Sequence, residues 1–178
     1  MEPEDRLQRG VWVHPAVAVQ RSAIEGRGLF AAAPIEADVL VMRLGGRVVT
    51  TAELHLLFAD TPADRYVDTF AVGEDAHLVL PFDTAAHYGN HSCDPTMWAV
   101  GAAEMTTRRS VAAGEELTVD YGTISDDADF EMECTCGAAS CRGVITGQDW
   151  RRPELQRRYA GHWPPGLRRR ISSGRGGE

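Results

Sequence analysis

Apolar residues in this chain fall in short runs broken by Gly, Pro, Asp and Thr, a pattern that predicts many brief strands and little helix. Val11 to Gln20 reads as a first strand or pair of strands. Gly26-Arg27-Gly28 then turns tightly into an apolar segment beginning at Leu29. Val39 to Met42 is a continuous apolar strand, and Gly45-Gly46 turns into Arg47-Val48-Val49. Thr50 or Thr51, with Glu53 and the Leu54, Leu56, Leu57 and Phe58 cluster, predicts a short capped helix ended by Asp60-Thr61-Pro62-Ala63. Strands follow at Tyr66 to Val72 and Ala76 to Leu80 around the Gly73-Glu74-Asp75 turn, then at Met97 to Val100, Met105 to Val111 and Leu117 to Tyr121. Thr123 to Glu133 is acidic and reads as a loop. Pro153 to Tyr159 is a short helix, Pro164-Pro165 interrupts, and Leu167 to Ile171 resumes before a Ser/Gly-rich end. No internal repeat is present.

The 178 residues suit one domain, or one domain with an appendage. No apolar run reaches the roughly 18 residues of a membrane span, and Met1-Glu2-Pro3-Glu4-Asp5 lacks the features of a signal peptide. The expectation is therefore a cytoplasmic protein with no membrane partner. Charge divides unevenly: residues 1–150 carry 10 Arg against 24 Asp and Glu, giving −14, while residues 151–178 carry 8 Arg against 2 Glu, giving +6. An acidic body attracts basic macromolecules, or simply keeps the chain in solution. The Arg-rich tail either contacts nucleic acid, which is not the expected outcome, or folds against the acidic body. Every cation is Arg, with no Lys in the chain.

Chemistry concentrates in the cysteines. Cys134, Cys136 and Cys141 lie within one turn-rich segment where Gly137 lets the backbone bend, and Cys93 is the only other thiol. In a reducing compartment this set reads as one closed, structural, tetrahedral Zn2+ site rather than two disulfides. Four thiolates leave no open position for a catalytic zinc. His91, two residues from Cys93, could meet it only in an extended segment, and a metal-bound thiolate is no nucleophile.

Four pieces occur in one order: Gly26-Arg27-Gly28-Leu29-Phe30, Asn90-His91-Ser92-Cys93-Asp94-Pro95, Gly114-Glu115-Glu116-Leu117-Thr118-Val119-Asp120-Tyr121, and Cys134-x-Cys136-Gly137-x-x-x-Cys141-Arg142-Gly143. Together they resemble a SET-domain protein lysine methyltransferase with a post-SET zinc segment, over roughly residues 15–147. The resemblance implies a mostly β (α+β) fold of small curved sheets with a pseudoknot, in which the Asn90-His91 segment crosses the strand bearing Tyr121. A zinc-binding post-SET segment and a short helical tail follow. The boundaries are 1–14 for an N-terminal extension, 15–125 for the SET domain, 126–147 for the zinc segment and 148–178 for the Arg-rich tail.

The resemblance also implies the reaction. S-adenosyl-L-methionine would donate a methyl group to a lysine nitrogen of a basic protein, histone-like or ribosomal. Gly26, Arg27, Gly28, Asn90 and His91 would hold the cofactor, Tyr121 would be the catalytic-site tyrosine, and Cys93, Cys134, Cys136 and Cys141 would bind one zinc. Trp150 either stacks on the adenine or packs in the core, and Tyr121 read without the family is a strand-end core aromatic. Tyr66 and Tyr88 are candidates for the channel wall, or core residues. Three positions depart from the family pattern: Thr96 where Asn is common, His87 where Arg is common, and Val119 where an aromatic residue often limits the number of methyls added. No pre-SET cysteine cluster precedes the domain. An enzyme acting on lysine would have no side chain of its own to modify. The alternative is a catalytically silent SET-like module that docks basic proteins or nucleic acid.

Overall fold

The computed structural model describes residues 10–62, 65, 67–82 and 84–174. Twelve short strands form four small sheets among the described residues. β1 (Trp12–Val13), β4 (Leu40–Arg43), β9 (Glu104–Thr107) and β8 (Met97–Val100) form the largest, in the order β1-β4-β9-β8. β2 (Val17–Arg21) and β3 (Arg27–Ala31) make a hairpin extended by β10 (Glu116–Leu117). β5 (Arg47–Val49), β7 (His77–Val79) and β6 (Thr69–Ala71) form a third sheet, and β11 (Glu131–Glu133) pairs with β12 (Val144–Thr146). All named pairs are antiparallel, and a register shift between Leu40 and Met42 bends β4.

The helices are few. α1 (Thr51–Asp60) carries the expected capping box, with the Thr50 side chain accepting from the Glu53 amide and the Glu53 side chain accepting from the Thr50 amide. α2 (Pro153–Arg158) and α3 (Pro165–Ser173) both begin on proline, which has no N–H to leave unpaired in a first turn.

One apolar core joins the first sheets through Leu29, Val41, Leu78, Met97, Met105 and Leu117. A second lies under the C-terminal helices, where Trp150, Leu155, Tyr159, Trp163 and Leu167 pack on Ala71. The basic tail folds onto the acidic body: Arg158 pairs with Asp94 at 2.5 Å and Arg170 with Asp126 at 3.2 Å. No described helix is long and apolar enough to cross a membrane.

The structure corrects several boundaries. Glu131–Glu133 is a strand within the segment read as an acidic loop. Its two glutamates face solvent while Met132 pairs with Ile145, and the density of carboxylates hides that alternation. The strand expected over Leu117 to Tyr121 stops at Leu117, because Asp120 caps a 3-10 turn over Tyr121–Thr123. The run from Met105 to Val111 ends its ladder at Thr107, and Val111 instead bridges Ile35. β6 covers only Thr69–Ala71 of the longer strand expected there, and Tyr66 lies outside the described residues.

Candidate active site and cysteine cluster

The segment from Asn90 to Met97 runs beside the one from Glu116 to Tyr121, where the resemblance implies a crossing. His91 and Val119 form an isolated parallel bridge, the Ser92 amide donates to the Val119 carbonyl at 3.0 Å, and the Val119 amide donates to the Asn90 carbonyl at 3.0 Å. Further along, the Met97 amide donates to Thr118 at 2.9 Å. Asn90, His91, Ser92 and Cys93 are all buried by this arrangement.

Asn90 fixes the glycine loop. Its Nδ2 donates to the carbonyls of Glu25 at 3.2 Å and Arg27 at 3.0 Å, and to Glu116 Oε1 at 2.7 Å. Ser22 Oγ donates to the same carboxylate at 2.8 Å. Gly26 takes φ +41°, and a methyl group on Gly28 would lie 2.0 Å from Glu116 Oε1 and 3.0 Å from Asn90 Nδ2. Gly26 is thus required by conformation and Gly28 by space. The Arg27 side chain lies over the Tyr88 ring, its guanidinium carbon 4.7 Å from the centroid. Sequence reasoning missed Ser22 and Glu116. Glu116 stands inside one of the four matched pieces, but only the fold brings it to Asn90.

Tyr121 is held at both ends. Its amide donates to His91 Nδ1 at 3.1 Å and its hydroxyl donates to the Gly89 carbonyl at 2.9 Å. Burial is the main cause that brings the His91 pKa down to about 4, against the opposing pull of Asp120, so the ring is neutral at neutral pH. Because Nδ1 accepts from Tyr121, the ring proton is on Nε2, which lies 3.4 Å from Cys93 Sγ and donates towards it.

Asn90, His91 and Tyr121 face a cavity of about 840 Å³ that also touches Ile24 and Glu25. Its other walls are rich in carboxylates, with Asp68, Asp127, Asp129, Glu131 and Glu133 against a single described Arg, Arg65. Asp68 contacts His87 on this wall. Burial raises its carboxyl to about 6, with the His87 interaction working in the opposite direction. Trp150 does not line the cavity. It packs among Leu155, Tyr159, Trp163 and Leu167 in the second core.

Cys134 lies between Cys93 and Cys141, with Cys136 beside Cys93. Cys93 Sγ is 3.8 Å from Cys134 Sγ, Cys141 Sγ is 3.7 Å from Cys134 Sγ, and the Cys93 amide donates to Cys136 Sγ at 3.4 Å. With Zn–S bonds of about 2.3 Å, the edge of a tetrahedron of sulfurs is about 3.8 Å, so the spacing fits a zinc ion. His91, Cys93, Cys134 and Cys136 also place ligand atoms within 4.8 Å of one another. The Nε2 proton argues against His91 as a ligand and for Cys141 completing the set, with His91 as hydrogen-bond donor to a ligand sulfur. Without metal the thiols differ sharply. Burial pushes Cys134 up to about 12, whereas at Cys136 burial is outweighed by the amides of Cys93 and Ala138, which bring it down to about 7.

A buried ionic junction adjoins both sites. Arg142, next to Cys141, reaches Asp120 with two nitrogens at 2.8 and 2.5 Å and Asp149 with Nε at 3.0 Å. Burial opposes the Arg142 charge, but the Asp120 contacts outweigh it and hold its pKa above the ordinary value. The sequence placed Arg142 in a matched piece without assigning it a partner.

A family model described as SET domain matches residues 26–122. Human Histone-lysine N-methyltransferase 2B is 32% identical over 145 residues, covering 73% of this chain and 5% of that protein. Drosophila melanogaster Histone-lysine N-methyltransferase ash1 is 31% identical over 159 residues, covering 82% and 7%. Gallus gallus Histone-lysine N-methyltransferase SUV39H2 is 30% identical over 149 residues, covering 67% and 37%. The chain therefore spans only a small part of these relatives. The methyltransferase domain of human Histone-lysine N-methyltransferase SETMAR has a similar fold, with a TM-score of 0.62 at 21% identity, covering 78% of this chain and 60% of that one. The matched residues contain the glycine loop, the Asn90-His91 crossing and Tyr121, and on these findings the chain belongs to the SET domain family.

Proposed function

We propose that this protein transfers a methyl group from S-adenosylmethionine to a lysine side chain of a basic protein. The observation that carries the reading is the convergence of Asn90, His91 and Tyr121 on one cavity, with the glycine loop tied to Asn90 through the Arg27 carbonyl. S-adenosylmethionine supplies an electrophilic methyl on a cationic sulfonium. Carbonyl oxygens beside carboxylates suit such a cation, and the Glu25 and Arg27 carbonyls, gathered with the Glu116 carboxylate by Asn90 Nδ2, provide them. Gly26, Arg27, Gly28, Asn90 and His91 would hold the cofactor.

The chain's own residues orient and exclude. Tyr121 places its hydroxyl oxygen and the Gly89 carbonyl together, so the N–H groups of a lysine nitrogen admitted there meet two acceptor oxygens at fixed positions. That nitrogen must be neutral to react. With a reference pKa of ~10.4, losing the proton at pH 7.4 costs about 4 kcal/mol in water, and a desolvated site near a cation lowers the cost. The carboxylates of Asp127, Asp129, Glu131 and Glu133 on the cavity wall favour a substrate with further positive charges around the target. We propose further that Cys93, Cys134, Cys136 and Cys141 hold one structural zinc as a post-SET segment.

The test uses methyl-labelled S-adenosylmethionine with basic protein extracts. Label should pass to a substrate, and Tyr121→Phe should lower kcat by about a hundredfold, as expected when one fixed polar group of the site is removed. No transfer by the wild type, or equal rates for the two proteins, would overturn the reading.

A further inference from the structure

Asp120 joins three parts of the chain. Its carboxylate is fully buried, yet it accepts two hydrogen bonds from Arg142 in the cysteine segment and one, at 3.0 Å, from the Tyr159 hydroxyl at the end of α2. The same carboxylate accepts from the Gly122 amide at 3.1 Å and so caps the 3-10 turn that starts at Tyr121. The Thr123 hydroxyl closes that turn from the other end by donating to the Asp120 carbonyl at 2.7 Å. Arg142 is itself anchored to Asp149, which sits with Trp150 in the turn before α2. The orientation of the turn is therefore set from outside it, by groups 22 and 39 residues further along the chain.

We propose that Arg142 and Tyr159 are positioning residues for Tyr121. Acting through Asp120, they set the turn that aims the Tyr121 hydroxyl at the Gly89 carbonyl. Methyl transfer then depends on the cysteine segment and on α2, neither of which needs to touch the reacting atoms. The proposal rests on reading Tyr121 as the active-site tyrosine. A planar guanidinium engaging a carboxylate with two nitrogens fixes direction as well as distance, which a lysine ammonium does not. Buried ion pairs are poor evidence of net stability, and orientation is the property this geometry delivers.

The experiment measures kcat, both KM values and zinc per chain for the wild type, Arg142→Met, Arg142→Lys and Tyr159→Phe. It adds amide spectra of protein labelled with 15N-tyrosine, in which the chain's four tyrosines give a simple pattern. A displaced turn should lower kcat about tenfold in Arg142→Met while both KM values stay within about twofold. Zinc should remain one per chain, and the Tyr121 amide signal should move. Arg142→Lys should recover part of the rate, and Tyr159→Phe should lose about threefold. An unchanged kcat in the folded variants, a Tyr121 signal that stays in place, or a loss of rate proportional to lost zinc would overturn the proposal. If Arg142→Met fails to fold, Tyr159→Phe decides alone. If the wild type transfers no methyl group, the proposed function fails, and the Tyr121 amide in Tyr159→Phe still tests the positioning.

Discussion

Gly28 sits where the glycine loop meets Asn90 and Glu116, and a single added carbon would collide with a carboxylate held by two partners. Gly28→Ala should therefore displace Glu116 and loosen Asn90, lowering stability by about 1 to 3 kcal/mol in thermal or denaturant unfolding and weakening cofactor binding in calorimetry. Cys134→Ser removes the sulfur that lies near both Cys93 and Cys141. It should release the zinc, detectable by metal analysis, and chelation of the wild type should reproduce the same fall in melting temperature. At this scale the sequence pointed to residues that the fold brings around one cavity and one cysteine cluster. Asn90, His91 and Tyr121 could be named through the resemblance of the motifs that hold them, and the four cysteines through their number and spacing. Ser22 and Glu116 could not. Their significance is a hydrogen bond across 94 residues, and nothing local marks either of them as a partner of the other.

Among the elements, α1 was the most readable, since its cap is written in four consecutive residues from Thr50 to Glu53. Thr50→Ala should cost about 1 kcal/mol in denaturant unfolding. The Thr50 amide and hydroxyl both donate to the Glu53 carboxylate and lower its pKa from 4.5. A carboxyl with a lowered folded pKa contributes stability above its unfolded pKa, and that contribution disappears as the pH falls through the folded value. The cap should thus weaken below about pH 4.5, and the difference between wild type and Glu53→Gln should shrink there. β11 was illegible for the opposite reason: its outward residues are glutamates, which argue for a loop, and only pairing with β12 reveals the strand. The 3-10 turn at Tyr121 was equally hidden, because Leu117 to Tyr121 reads as a strand until Asp120 is seen to cap the turn.

For the whole molecule, the decisive feature is that the C-terminal tail belongs to the fold. Trp150, Tyr159, Trp163 and Leu167 build a second core on Ala71, and Arg158 reaches back to Asp94 and the Cys93 carbonyl. Truncation after residue 147 should therefore strip a hydrophobic cluster as well as two arginine contacts. The shortened chain should lose its cooperative thermal transition, which calorimetry would register. Composition alone left the tail divided between nucleic acid and the acidic body, and ion pairs at Asp94 and Asp126 now place it on the body.

The side-by-side run of the Asn90 and Tyr121 segments has a consequence for how the chain reaches this state. The bridge between His91 and Val119 is parallel, so no hairpin can nucleate it, and β4 must find β9 from the far side of β5, α1, β6 and β7. Loops of that length close at an entropic cost before their contacts form. Folding should accordingly be slow, which stopped-flow refolding would register. Cys93 lies on that crossing, so the proposed zinc site should assemble late in a refolding experiment, its ion acting as a latch on a topology already formed.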